Sequence, residues 1–193
     1  MKKILIGLVL TSGLMLGACD SKEVSDESTD NKVSKEVIKN KKQVNEGLEN
    51  YKGLKIGDTV SVKYADVYKD KYAYDFTLNK LEFTDQVLGG KEPKYESGFI
   101  IAYVTIKNTG NDKLGLDIFD NVTYGSAIFS YGKKYGFQGL DESTELAVGD
   151  TVVGKMVVRF SKIDNTITNG LEGTSTVFSY DIKADEIGDY VPE

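Results

Sequence analysis

Residues 98 to 107 read Gly-Phe-Ile-Ile-Ala-Tyr-Val-Thr-Ile-Lys, with apolar side chains at both even and odd positions from Phe99 to Ile106. This run constrains the fold more than any other. Successive side chains of a strand point to opposite faces, so a run apolar on both parities has to be covered on both. A helix is the alternative, but the β-branched content and the abrupt end at Asn108-Thr109-Gly110-Asn111 favour a central strand.

Its surroundings have a period of two. Gly57-Asp58 opens Thr59 to Lys63, where Val60 and Val62 alternate with polar residues. Tyr72, Tyr74, Phe76 and Leu78 alternate with Ala73, Asp75, Thr77 and Asn79, and after Lys80 the apolar parity shifts to Leu81 and Phe83. A slip of one residue exchanges the faces of a strand, which predicts a bulge near Asn79-Lys80. Residues 85 to 97, with Gly89-Gly90 and Pro93, read as a loop. Leu114, Leu116 and Ile118 alternate again, and Ser126 to Tyr131 with Tyr135 to Gln138 form a candidate hairpin through Gly132-Lys133-Lys134. Gly149-Asp150 opens a second strong run, Thr151 to Phe160, and Ser175 to Ile182 is the last strand, reached by a loop through Asn169-Gly170. The tetrapeptide G-D-T-V at Gly57 and at Gly149 is the same turn-then-strand grammar used twice. Seven or eight short strands without amphipathic helices between them predict an all-β, two-sheet antiparallel sandwich over residues 51–193, with a barrel as the other arrangement.

The start of the chain is of a different kind. Lys2 and Lys3 precede an apolar run from Ile4 to Leu16, too short for a bilayer span of about 20 residues but suited to a signal peptide. Leu16-Gly17-Ala18 leads directly into Cys19, the single cysteine, and this resembles the lipobox of bacterial lipoproteins. The resemblance implies that residues 1–18 are removed and that the Cys19 sulfur carries a diacylglyceryl group. Two chains burying about fifteen methylenes each, at roughly 0.8 kcal/mol apiece, would anchor the protein by on the order of 20 kcal/mol. Residues 19–50 then read as a polar tether, acidic at Glu23, Asp26, Glu27 and Asp30 and basic at Lys35, Lys39, Lys41 and Lys42. Val33, Val37, Val44 and Leu48 would lie on one side of a helix, so part of the tether is either helical or coil.

Composition narrows the functional classes. The chain carries a net charge of −6, and loss of Lys2 and Lys3 with the first 18 residues leaves 22 basic against 30 acidic side chains. That sign disfavours nucleic acid and anionic lipid surfaces as partners. Histidine and tryptophan are absent, which removes the commonest general base and the commonest catalytic metal ligand together. One cysteine allows no intramolecular disulfide, so an exported domain of this length has to be stable from its core.

Three features, the Phe99–Asn108 strand with Thr109-Gly110, the Tyr131-Gly132-Lys133 turn, and Leu146-Ala147-Val148-Gly149 leading to Gly154 and Phe160, are similar to the immunoglobulin-like, telokin-like domain of Gram-positive surface lipoproteins. The resemblance covers roughly residues 55 to 185. It implies an immunoglobulin-like sandwich, an exported setting and an interaction role, and it carries no catalytic residues.

Ser130-Tyr131-Gly132-Lys133 matches S-x-x-K, but Gly132 and its aromatic neighbours indicate a turn rather than the helix this motif needs, and neither S-D-N nor K-T-G occurs. Asp112, Asp117, Asp120, Asp141, Glu142 and Asp150 fall near strand ends, where they could form a carboxylate pair or an oxygen-only calcium site, although they do not follow the calcium-loop spacing and suit solvated turns. No cofactor is expected. All twelve tyrosines lie from Tyr51 onward, with Tyr64, Tyr68, Tyr72 and Tyr74 crowding one region and Tyr124, Tyr131 and Tyr135 another. Most suit strands, and the rest suit an aromatic patch for a protein or glycan. The expected binding surface is Tyr64, Tyr68, Tyr95 and Tyr131, with loop residues Lys91 to Tyr95. The sequence thus reads as a membrane-anchored, non-catalytic binding module for a protein or cell-wall component. A carboxylate-dependent envelope hydrolase and an inhibitor of a secreted protease are the alternatives.

Overall fold

A computed structural model describes residues 48–192 apart from Asp70, Tyr95 and Glu96, and leaves out the side chains of Asp66 and Asp120. The signal peptide, Cys19, nearly all of the tether with its Val33, Val37 and Val44 stripe, and Tyr95 therefore lie outside the described residues.

The strands, in chain order, are β1 (Asn50–Leu54), β2 (Thr59–Lys63), β3 (Ala73–Thr84), β4 (Gly98–Asn108), β5 (Leu114–Gly115), β6 (Thr123–Tyr124), β7 (Ala127–Ile128), β8 (Ser130–Tyr131), β9 (Glu145–Leu146), β10 (Thr151–Phe160), β11 (Asn165–Asn169), β12 (Val177–Ile182) and β13 (Ile187–Asp189). One sheet has the order β1-β12-β11-β6-β7, the other β13-β3-β4-β10-β8 with β2 also on β3, and β5 pairs with β9 in a small ribbon. The described residues contain short 3-10 turns and no α-helix. The fold is an all-β sandwich.

The strand apolar on both parities is central. β4 is antiparallel to β3 on one side and to β10 on the other. Ile100, Ala102, Val104 and Ile106 face the main core between the sheets, whereas Phe99 and Ile101 join Leu88, Tyr135 and Val157 in a second cluster. The outer face is apolar only over the first half of β4. Tyr103 is half-buried, with its hydroxyl donating to Glu82 Oε2 at 2.5 Å. Residues 85–97 are irregular as expected, but Leu88 is buried in the second cluster and tacks the segment down.

The predicted bulge is present between Leu78 and Lys80. It also divides the outer edge of β3, whose first half pairs with β2 and whose second half pairs with β13. Gly57 and Gly149 both adopt a positive φ, 98° and 84°, immediately before β2 and β10, so the repeated tetrapeptide is the same left-handed turn that glycine admits without strain.

Four expectations are corrected. Two edge pairings, β1 with β12 and β13 with β3, are parallel, so the sandwich is not purely antiparallel. Leu116 and Ile118 do not continue a strand. Leu116–Asn121 is a 3-10 helix, and the buried residues Leu116, Phe119 and Val122 show a spacing of three that outweighs the alternation. The hairpin through Gly132 is instead a strand followed by a 3-10 turn, Gly132–Tyr135. The hairpin lies earlier, between β6 and β7 across Gly125-Ser126. Finally, β11 was missed because Asn-Thr-Ile-Thr-Asn offers a single buried side chain, Ile167.

Candidate functional site

Three tyrosines converge at one end of the sandwich. Lys63 and Tyr64, at the end of β2, are stitched to the segment before β12: Thr176 N–H donates to Lys63 O at 2.8 Å, Ala65 N–H to Thr174 O at 2.7 Å, and Tyr64 bridges to Ser175. The chain then makes a single turn, Asp66–Tyr68, closed by Tyr72 N–H donating to Tyr68 O at 2.8 Å, before β3 begins. Positions 64, 68 and 72 are four residues apart, and this turn brings their rings together. Tyr64 and Tyr72 meet edge-to-face at 6.2 Å, and Tyr68 stacks on Tyr72 at 5.9 Å with 23° between planes. Tyr64 and Tyr72 are half-buried, while Tyr68 is 53% exposed.

The rest of the lining comes from residues farther along the chain. Lys113, Gly115, Asp117, Ile118, Glu145 and Thr174 complete with the three tyrosines an open trough of about 540 Å³. Its size lies within the range of small-ligand pockets. The β5–β9 ribbon places Gly115 opposite Glu145, and Lys113 Nζ meets Glu145 Oε2 at 3.3 Å. A Cβ at Gly115 would lie 2.7 Å from Asp117 Oδ1, so the exposed Asp117 side chain would have to swing aside. Asn108, fully buried at the end of β4, ties these loops down. Its amide donates to Asp112 O at 2.8 Å and Leu146 O at 3.0 Å, and its oxygen accepts from Gly110 N–H at 2.9 Å.

The site's electrostatics are simple. Lys71 pairs with Asp112 at 3.6 Å and lies 5.4 Å from the Tyr72 ring centroid. Asp117 is exposed and has no cationic partner among the described residues. Burial, and secondarily the Asp117 charge, push the Tyr64 phenol above its ordinary range, so it stays a neutral hydrogen-bonding group.

The other expected site residues fall elsewhere. Tyr131 is not surface. It is 1% exposed, and its hydroxyl donates to Leu116 O, pinning the 3-10 helix that carries Asp117. It sits at an odd-even boundary where the apolar run alone could not assign a face. Lys91 lies 5.7 Å from the Tyr135 ring centroid over the second cluster. Asp141 and Glu142 pair with Lys133 and Lys134, and Asp150 is exposed before β10. The Lys133 amine is thus engaged by Asp141, while Ser130 sits in β8 opposite Val157. Among the described residues no three acidic side chains are grouped to hold a metal. Tyr72, Lys113, Glu145 and Thr174 were missed as site residues. The four-residue spacing of Tyr64, Tyr68 and Tyr72 was the signal for the first, and nothing local marks the other three.

Fold and site define a β-sandwich with an aromatic trough at one end. No protein-family profile matches the chain, and no curated protein matches it. The chain is similar to several solved structures. The secreted protein MPT63 of Mycobacterium tuberculosis superposes with a TM-score of 0.50 at 10% identity, covering 69% of this chain and 98% of its own. A β-sandwich protein of Clostridium difficile 630 has a TM-score of 0.46 at 14% identity over 72% of this chain and 97% of its own. A candidate lipoprotein of Bacillus subtilis has 0.41 at 16% over 58% of this chain and 38% of its own. Among the described residues no helix is long and apolar enough to cross a membrane.

Proposed function

We propose that this chain is a lipid-anchored extracellular module that binds a partner, without catalysis, through its tyrosine trough. The observation that carries the reading is the convergence of Tyr64, Tyr68 and Tyr72 around an open concavity. Buried aromatics need no such opening, and rigid tyrosines lining one are what recognition surfaces use. Support for the anchor is the Leu16-Gly17-Ala18-Cys19 sequence. Residues 19–50 would then hold the sandwich away from the lipid.

Two experiments test these parts separately. Cys19→Ser should move the protein from the membrane to the soluble fraction with its melting temperature unchanged, since the cysteine lies about 30 residues before β1. Membrane-bound mutant of unchanged abundance would falsify the anchor. For the trough, capture from intact cells with the full-length protein as bait should recover a partner that Tyr68→Ala fails to recover. An acidic variant that keeps its partner and its melting temperature yet loses all cellular activity would replace the binding reading with a carboxylate enzyme.

A further inference from the structure

Taking the trough to be the binding site, the charges that line it specify the chemistry of its ligand. Besides Asp117, the charged side chains that line the trough are Lys113 and Glu145, paired at 3.3 Å, and near the Tyr72 ring Lys71 pairs with Asp112 at 3.6 Å. Asp117 is left as an uncompensated carboxylate on the trough wall among the described residues. Lining the same trough are tyrosine rings, whose π-faces attract cations. The protein itself displays this preference, because Lys71 Nζ approaches the Tyr72 ring at 5.4 Å from its centroid. Tyr68, stacked on Tyr72 and otherwise exposed, offers a second ring. The chain's net charge of −6 draws cations in the same sense at longer range.

We propose that the trough takes a cationic side chain, the guanidinium or ammonium of an arginine or lysine on a partner protein, held between the Asp117 carboxylate and the tyrosine rings. An acidic partner is disfavoured by Asp117. A neutral glycan would use the same rings but would draw nothing from the carboxylate's charge. Arginine fits better than lysine, since its plane stacks on an aromatic ring and its fork reaches a carboxylate with two donors.

The test is calorimetric titration of the full-length protein with a short peptide bearing one central arginine, the same peptide with uncharged citrulline, and an N-acetylglucosamine tetramer. The arginine peptide should bind saturably, and citrulline should weaken binding about tenfold. Asp117→Asn should give a similar loss and reduce the salt dependence, and Tyr68→Ala should weaken binding about fivefold. Asp185→Asn, a charge-matched change beyond the far end of β12, should leave affinity unaltered. Melting temperatures of all three variants should match the parent, because all three side chains are exposed.

Equal affinity for the arginine and citrulline peptides, or unchanged affinity in Asp117→Asn, would overturn the inference. So would binding of the tetramer alone or of none of the three probes. If Tyr68→Ala still abolishes partner capture under those outcomes, the trough remains the binding site with another ligand chemistry. If Tyr68→Ala affects neither capture nor titration, both readings fall.

Discussion

Phe76→Ala is expected to lower the unfolding free energy by about 3–5 kcal/mol, a large part of the roughly 5–15 kcal/mol available to a domain of this kind. Phe76 projects from β3 into the space between the sheets, where it is almost fully buried. Its ring stacks on Phe178 of β12 at 5.2 Å and on Phe119 of the 3-10 helix at 6.1 Å, and meets Tyr180 at 6.2 Å. One side chain therefore joins both sheets and the helix carrying Asp117. Three rings on two elements, β12 and the 3-10 helix, cannot all collapse into the vacated volume, which places the expected loss toward the upper end. Urea unfolding monitored by tyrosine fluorescence measures it, with Tyr68→Ala as a surface control expected within about 0.5 kcal/mol of the parent. A loss below about 1 kcal/mol for Phe76→Ala would show that the sheets are held together elsewhere.

Alkaline pH should unfold the protein cooperatively, beginning near pH 10. Tyr74, Tyr124 and Tyr180 are fully buried in the main core. Burial is the first cause of a raised pKa in each. The phenols of Tyr124 and Tyr180 are pushed to about 12, and that of Tyr74 lies well above its ordinary value. The hydroxyls of Tyr124 and Tyr180 donate to Ile163 O at 2.7 Å and Asp58 O at 2.8 Å, bonds that a phenolate cannot make. In the unfolded chain these groups ionise near their ordinary pKa of about 10. Their contribution is therefore fully present below pH 10 and is lost as pH rises through the folded values, the unfolded state having released protons that the native state retains. Each tyrosine in that condition removes about 1.4 kcal/mol per pH unit. Urea midpoints at a series of pH values from 8 to 12 would reveal this, and a flat profile up to pH 11.5 would show that these phenols ionise without unfolding.

Sequence and tertiary structure divided the molecule along physical lines. Period and parity belong to the backbone, so β2, the Leu78–Lys80 bulge, the central position of β4 and the bounds of β10 were legible from residue order alone. The two G-D-T-V turns were legible too, because a left-handed position selects glycine wherever it occurs. The sequence also singled out Tyr64, Tyr68, Tyr72 and Tyr74 by local crowding, and a single turn sufficed to gather the first three, while Tyr74 is buried in the core. It could not distinguish alternation from a spacing of three at Leu114–Val122, where Leu116 satisfies both patterns and only packing against Phe76 and Tyr74 decides. It gave no sign of β11, whose hydrogen bonds to β12 and β6 are made by backbone groups common to every sequence. Nor could it tell that Tyr131 turns inward to hold Leu116 O while Tyr68 stays wet. The rest of the trough's lining was decided by tertiary structure alone. Lys113, Asp117 and Glu145 are brought to the tyrosines by the β5–β9 pairing and by Asn108, and Thr174 by the hydrogen bond its carbonyl accepts from Ala65 N–H; long-range pairing leaves no periodic trace in the residues that it unites.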